Sequence, residues 1–317
     1  MNRRVLVEPL AVDSVSRTDY AAFVASVGFE ERSTYIALKF NIQATKRYAF
    51  GFTHNKKLSY EKSLLWYGQS KFIVQEPPDA AYVDLIRELV CGLANQNEKD
   101  VRIAVDISSM TRERLAAVVS AAASCGGASR VIVDFLYALA DFSPPPEHQL
   151  PVRPAKPVIP AFAGYPEDPS IPSSCVVGIG YEPGKALGAL EELEPGEIWI
   201  FVPVGGDVQF ERAVRKANDI LLTSSLPERV LGYNVTRPLE AFLTLESLTA
   251  ALMQVSRPVL LPLGPKIFSL CTLLVAARHA PRVSVWRVSA GAEEEPAQRI
   301  PSGHTTGIRA EFRRTET

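Results

Sequence analysis

The sequence lacks the features that mark several large classes of protein. It has no run of about 18 apolar residues, so it predicts no membrane-spanning helix. Its 34 Lys and Arg nearly balance 35 Asp and Glu, which does not indicate a dedicated nucleic-acid-binding surface. The first nine residues contain no long apolar segment and no clear cleavage site, so we expect no signal peptide and a cytoplasmic protein.

Cysteines are few, and none belongs to a Cys-x-x-Cys pair. All of them lie in apolar segments or at the edges of such segments: Cys91, Cys125, Cys175 and Cys271. This pattern predicts reduced, buried thiols in a reducing compartment, and it favours neither a disulfide framework nor a zinc site.

Familiar catalytic and cofactor motifs are also missing. The sequence contains no G-x-x-x-x-G-K-[ST], no G-x-G-x-x-G, no H-E-x-x-H and no G-x-S-x-G. Gly178-x-Gly180 lacks the third glycine of a dinucleotide-binding loop. We therefore predict no metal site, and the sequence identifies no cofactor and no catalytic residue by motif.

What the sequence does contain is the same order of elements twice. Apolar runs typical of buried strands alternate with helical patterns, and the same spacing separates Gly28 from Gly180 and Arg130 from Arg282. The runs of the first copy are at 23–27, 47–52, 71–74, 101–106 and 130–135, and those of the second are at 175–179, 197–202, 229–233, 258–263 and 282–287.

Continuous apolar strands are expected where helices cover both faces of a parallel sheet. We therefore predict an α/β protein with two tandem, diverged Rossmann-like units related by internal duplication. Each would be a doubly wound parallel sheet of strand order 3-2-1-4-5, with the direction of its last strand left open. The predicted boundaries are 1–143 for the first unit, 144–173 for a linker, 174–291 for the second unit and 292–317 for a polar tail.

The sequence gives three further expectations, for the linker, for the tail and for the first residues of the chain. Proline is dense in the linker, which favours a semi-rigid extended chain, with a disordered spacer as the alternative. The tail is rich in Thr, Glu and Arg, so we expect it to be frayed. Residues 5–7 predict one additional strand.

Ligands of open α/β sheets bind at the carboxyl ends of the strands, where the strand order reverses. In the predicted order this point lies between strands 1 and 4. The candidate residues of the first copy follow those two strands: Gly28, Glu30, Arg32, Asp106, Ser108, Ser109, Thr111 and Arg112. The corresponding residues of the second copy are Gly180, Tyr181, Glu182, Gly264, Pro265 and Lys266.

These residue types suit an anionic ligand. Hydroxyl residues at a helix start leave backbone N–H groups for an anion, and Arg32 and Arg112 can clamp a phosphate or carboxylate. Asp106 and Glu30 can accept from ribose hydroxyls, bind a metal through water or act as a base, and His54 is a further acid/base candidate. The alternative interpretations are ordinary helix capping for the hydroxyls, and dipole complementation with a surface ion pair for Glu30 and Arg32.

The second copy carries an analogous signal. Gly264 allows close backbone approach, and Pro265 suits a first helical position. Lys266 then lies in the first helical turn, where the helix dipole disfavours a cation, so its presence indicates an anionic partner. A lysine that simply extends into solvent is the alternative.

The loops Gly28-Phe29-Glu30 and Asp106-Ile107-Ser108-Ser109-Met110-Thr111-Arg112 resemble those of the CRISPR-associated Rossmann-fold (CARF) sensor domains. The resemblance implies a ligand cleft built from two such units, a nucleotide second messenger as ligand and a role in antiviral defence. Those sensors usually pair two identical chains and carry a nuclease or DNA-binding module. This sequence instead contains both copies, and it shows no convincing helix-turn-helix.

Three functional hypotheses follow from the sequence. The first is a module that binds an anionic, nucleotide-like small molecule and signals to a protein partner, without involving a membrane. The second is an enzyme acting on a nucleotide or phospho-sugar, with one active site at the pseudo-symmetric cleft. The third is a non-catalytic structural subunit, which predicts an exposed apolar patch in place of a cleft.

Overall fold

A computed structural model of the chain describes residues 3–97, 100–145, 154–165, 168, 170–288 and 297–314. The strands are β1 (Arg3–Pro9), β2 (Asp19–Ser26), β3 (Gln43–Phe50), β4 (Ile73–Gln75), β5 (Asp100–Asp106), β6 (Arg130–Ala140), β7 (Lys156–Pro157), β8 (Ser173–Gly178), β9 (Glu197–Val204), β10 (Val230–Asn234), β11 (Arg257–Pro262), β12 (Ser284–Arg287) and β13 (Pro301–Arg314).

Most strands are followed by a helix. The helices are α1 (Tyr35–Lys39), α2 (Tyr60–Gln69), α3 (Asp79–Asn95), α4 (Arg112–Ser124), α5 (Lys185–Leu193), α6 (Val208–Ala217), α7 (Asp219–Ser224), α8 (Pro238–Leu252) and α9 (Lys266–Arg278). None of these helices combines the length and the apolar character needed to cross a bilayer.

The chain divides into two compact units. Unit 1 comprises Met1–Asp141 and Pro296–Thr317, and unit 2 comprises Phe142–Glu295. Unit 2 is therefore inserted, in sequence, between the last two strands of unit 1, β6 and β13.

Unit 1 is built on a seven-stranded sheet of order β1-β13-β6-β5-β2-β3-β4. The strands from β6 to β4 pair in parallel, which confirms the predicted order and makes its last strand, β6, parallel to β5. Beyond β6 the sheet continues with β13, which is antiparallel to β6, and then with β1, which is antiparallel to β13. β1 confirms the strand predicted at residues 5–7.

Unit 2 repeats this order in a six-stranded sheet, β10-β9-β8-β11-β12-β7. The strands from β10 to β12 are parallel, and β7 adds an antiparallel edge. The Rossmann-like fold class is thus confirmed for both units, while their origin by duplication stays a prediction.

The helices that follow the fourth strand of each sheet are deeply buried. In α9 every residue from Ile267 to Ala277 is buried, and α4 is buried along most of its length. A helix that is covered on nearly all sides must be apolar almost all round, as both sequences are. These two helices begin at the carboxyl ends of β5 and β11, where the candidate ligand sites were predicted.

The expectation of a frayed tail at 292–317 is wrong for residues 301–314, which form β13. This strand lies inside the sheet of unit 1, between β1 and β6, and buries Ile308, Ala310 and Phe312 completely. These apolar residues alternate with charged ones, as in a strand with one face in the core. The charged side chains have partners: Arg309 binds the buried Asp134 with Nε–Oδ1 at 2.6 Å.

The predicted linker, 144–173, also contains structure that belongs to unit 2. β7 pairs antiparallel with β12, and the turn Pro160–Phe162 buries the Phe162 ring almost completely. Proline is tolerated here because β7 is a two-residue edge strand, where a missing N–H disrupts no central ladder. The linker residues 146–153, 166–167 and 169 lie outside the described part of the chain.

Candidate functional site

The loops that follow β2 and β5 meet at the carboxyl end of the sheet of unit 1, as predicted. A Cβ atom placed on the buried Gly28 would lie 2.5 Å from the Cβ atom of Ser109. No side chain fits in that distance, so Gly28 is required for the close approach of the two loops. The structure thus brings the candidate residues of the first copy into one region.

Glu30 and Arg32 form a buried ion pair in this region, with Nε–Oε2 at 2.6 Å. Arg32 Nη1 also donates to the carbonyl oxygen of Ala138 at 3.1 Å. Burial alone would lower the pKa of Arg32, but the Glu30 carboxylate and Tyr137 outweigh it and raise that pKa. The Arg32 charge is therefore neutralised by Glu30 within the protein. The alternative interpretation, an ion pair between these two residues, is correct except that the pair is buried and does not lie on the surface.

The carboxylate and hydroxyl groups after β5 also hold the loops together. Asp106 is 2% exposed, and its Oδ1 accepts from the backbone N–H of Ser108 at 2.8 Å. The fully buried Ser108 hydroxyl accepts from the N–H of Ala138 at 2.8 Å. Glu30 Oε2 lies 3.5 Å from the Ser109 hydroxyl, which links the two loops.

Thr111 and Arg112 begin helix α4. Thr111 is the N-cap residue, and its hydroxyl accepts from the N–H of Arg114 at 3.2 Å, so the capping interpretation is confirmed for this residue. Arg112 is the first helical residue and is half-buried. A cation at this position faces the positive end of the helix dipole.

Arg114, which the sequence analysis did not single out, is almost completely buried beside this site. Its guanidinium binds Asp79 at 2.8 Å and donates to the carbonyl oxygens of Gly51 at 2.7 Å and Pro77 at 3.0 Å. It also lies 3.9 Å from the ring centroid of Phe52. Arg114 therefore fixes the loops that follow β3 and β4. In the sequence it is one of three consecutive charged residues at the start of α4, so no local signal distinguished it.

His54 lies in the loop that Arg114 anchors. Its ring is exposed and contacts Phe52 edge-on, with centroids 6.3 Å apart. In the same loop Asn55 and Leu58 adopt positive φ angles of 55° and 54°. Non-glycine residues rarely adopt this conformation, and it is often found at functional sites.

The segment before β13 packs on the loop after β2, which the sequence analysis also missed. The backbone N–H of Arg32 donates to the carbonyl oxygen of Arg299 at 3.2 Å. The Gln298 side chain accepts from the N–H of Glu31 at 3.2 Å and donates to the Ser59 hydroxyl at 2.8 Å. Residues from the predicted tail thus line the candidate site of unit 1.

The corresponding loops of unit 2 also pack against each other. A Cβ atom on Gly264 would lie 2.5 Å from the carbonyl oxygen of Ile179, and one on Gly180 would lie 3.0 Å from that of Leu263. The carbonyl oxygen of Gly178 accepts from the N–H groups of both Leu263 and Gly264. The two glycines after β8 and β11 are therefore required for this contact.

Two further candidates in unit 2 have identifiable contacts. The Tyr181 ring stacks on Phe210 with centroids 5.8 Å apart, and Phe210 in turn contacts Phe142 edge-on. Glu182 turns back toward Gly180, where its Oε2 would lie 2.5 Å from an added Cβ atom. Both candidates, Tyr181 and Glu182, thus lie in the loop after β8.

Helix α9 begins as α4 does, with a basic residue. Lys266 is its first residue and is half-buried; Pro265 precedes it as the N-cap residue, one position earlier than predicted. Both units therefore place a cation, Arg112 or Lys266, at the first position of the helix that follows the fourth strand.

Among the residues that the structure describes, no group of three or more His, Cys, Asp or Glu side chains is arranged to hold a metal ion. Comparison of the sequence with models of known protein families gives no match, and comparison with curated proteins gives none either.

Proposed function

We propose that this protein binds an anionic, nucleotide-like small molecule at the carboxyl ends of its sheets and transmits its presence to a protein partner. The observation that carries the proposal is the arrangement common to both units. In each, a glycine after the first strand lets its loop pack under the loop after the fourth strand, and a helix with a basic first residue begins there.

This arrangement is suited to anions for two reasons. The first N–H groups of a helix have no intrahelical acceptor, and the dipole makes this end positive. A phosphate or carboxylate placed there gains from both, and Arg112 or Lys266 would add a charged hydrogen bond. A cation at this position, unfavourable by itself, is compatible with the helix when an anion is bound.

Internal contacts of the acidic candidates favour binding over catalysis. Glu30 is ion-paired with Arg32, and Asp106 accepts the N–H of Ser108. A general base must reach the proton that it abstracts, and these two carboxylates are engaged in holding the loops. The choice of a nucleotide as ligand, and of a defence system as setting, rests on the resemblance of the unit 1 loops to CARF sensor domains.

Thermal unfolding with a panel of anions tests the proposal. The panel contains cyclic dinucleotides, cyclic oligonucleotides, NAD, ATP, phospho-sugars and inorganic phosphate. A ligand at about 100-fold over its Kd adds about 2.7 kcal/mol to the free energy of unfolding. We expect at least one nucleotide to raise the Tm, and Arg112→Ala or Lys266→Ala to weaken its binding by about 1.5–3 kcal/mol.

Arg87→Ala is the matched control, because Arg87 is an exposed arginine on α3 that pairs only with Asp84 among the described residues. It should bind the ligand as the unmodified chain does. If no compound raises the Tm, or if both site variants retain full affinity, the proposal is wrong.

A further inference from the structure

Two cysteines that are distant in sequence are neighbours in unit 1. Cys91 is half-buried near the end of α3, and Cys125 is the buried residue that ends α4. The turn after α4 is fastened to the end of α3, since the N–H of Ala128 donates to the carbonyl oxygen of Ala94 at 2.8 Å. This packing makes the Cys91 thiol a close neighbour of the Cys125 thiol.

The turn that holds Cys125 packs closely on the end of α3. Gly127 adopts a φ of 73°, and a Cβ atom at this position would lie 2.5 Å from the carbonyl oxygen of Ala94. Only glycine combines this backbone conformation with such a close approach. Cys125 is thereby held at a fixed position relative to the last turns of α3.

A buried arginine lies beside the two thiols. The Arg3 guanidinium donates to five backbone carbonyl oxygens, those of Cys125, Gly126, Ala128, Ser129 and Phe312. Within the described ranges no carboxylate forms an ion pair with it. Its positive charge acts on the neighbouring Cys125 thiol and opposes the effect of burial on the pKa of that thiol.

The two thiols differ in access to solvent. Burial raises the pKa of the Cys125 thiol to about 12, with Cys91 raising it further and Arg3 opposing. Cys125 is therefore the protonated, protected member of the pair. Cys91 is the member that a small oxidant can reach.

We propose that Cys91 and Cys125 are a reversible dithiol–disulfide pair that responds to hydroperoxides. The Cys91 sulfur attacks the peroxide O–O bond and becomes a sulfenic acid, and the leaving hydroxide takes up the thiol proton as water. The sulfur of Cys125 then attacks that of Cys91; the S–S bond forms, the S–O bond breaks and water leaves. Two thiols and one hydrogen peroxide thus give one disulfide and two waters, and a dithiol reductant reverses the change.

Unit 2 provides an internal control. Burial raises the pKa of both Cys175 and Cys271 to about 12. Cys271 lies in α9 with its thiol directed to the carbonyl oxygen of Pro238. No cysteine of the described chain pairs with either thiol, so mild oxidation should leave both reduced.

The test is oxidation of the full chain with hydrogen peroxide. Free thiols are counted after denaturation, and intact mass and peptide mapping locate any new bond. We expect two of the four thiols to disappear, a mass loss of about 2 Da, and a cross-linked peptide containing Cys91 and Cys125. Because the bond closes a loop, oxidation should also raise the Tm by roughly 5–10 °C, reversibly with dithiothreitol.

Cys91→Ser is the diagnostic variant: Cys91 is half-buried and serine is close to cysteine in size, so we expect the fold to be retained. It should retain its reduced-state Tm and show neither the mass loss nor the rise in Tm. Four thiols remaining in the oxidised wild-type chain would overturn the proposal. So would a disulfide that joins two chains, or a two-thiol loss that persists in Cys91→Ser.

Discussion

At one equivalent position the two units carry different kinds of side chain, a cation in unit 1 and an aromatic ring in unit 2. The third residue of the helix after the fourth strand is Arg114 in unit 1 and Phe268 in unit 2, and both are buried. Arg114 lies over Phe52 and Tyr82, whereas the Phe268 ring packs on Phe201 and Tyr233, with centroids 5.2 and 4.6 Å away.

The strand next to this position also differs between the two units. Ser26, at the end of β2, pairs with Phe50, and Gly178, at the end of β8, pairs with Phe201, so these two residues correspond in the two sheets. Gly178 makes room for the Phe268 ring, which a Cβ atom would overlap. One topology thus accepts either a hydrogen-bonded cation or an aromatic ring at the same place, provided that the neighbouring residue complements it.

The largest expected difference between the units concerns β13. A chain that ends at Ile300 lacks the strand between β1 and β6, so the edges of those two strands and the core residues that pack on β13 lose their partners. We expect unit 1 to unfold and unit 2 to remain folded. Hydrogen exchange measures this: amide protection should be lost in β2 and β5 and retained in β8 and β11.

A chain ending at Arg314 is the control for this truncation, because it keeps all of β13. It should retain protection in both sheets. Persistent protection of β2 and β5 in the shorter chain would show that the strand is dispensable.

The next largest effect is expected at Arg114. Arg114→Leu removes the partner of Asp79 and leaves the buried carbonyl oxygen of Gly51 and the half-buried one of Pro77 without this donor. Each buried or half-buried acceptor left without a donor costs about 1–3 kcal/mol, so we expect the free energy of unfolding, which urea denaturation measures, to fall by about 3–5 kcal/mol. Arg87→Leu, at the exposed pair on α3, should cost less than about 1 kcal/mol. Equal costs for the two variants would contradict the role given to Arg114.

The smallest effects compare Gly178 and Ser26 directly. Gly178→Ala should cost about 1–3 kcal/mol, because its methyl group overlaps the Phe268 ring. Ser26→Ala removes a buried hydroxyl that has no hydrogen-bond partner among the described residues, so stability should be unchanged or slightly higher. Denaturation of both variants under the same conditions checks this, and a larger loss in Ser26→Ala would refute the correspondence.

The sequence predicted the strand order because the central strands of both sheets are continuously apolar. The meeting of the loops around Gly28 and Gly180 followed from that order. β13 was missed because polar residues, glycine and charged residues dominate its composition, and the partners of the charged ones, such as Asp134, lie far away in sequence. The burial of Arg32 and Arg114 could not be predicted for the same reason: the carbonyl groups and carboxylates that satisfy them come from several separate loops.

The insertion of unit 2 between β6 and β13 has a consequence for synthesis. Chains are made from the N-terminus at about 5–20 residues per second, and domains generally fold as they emerge. The first 141 residues leave the ribosome long before β13 is synthesised. The edges of β1 and β6 that pair with β13 are therefore unpaired while unit 2 is translated. The domain that begins first is therefore completed last, and chaperones that shield strand edges would act on the nascent N-terminal half.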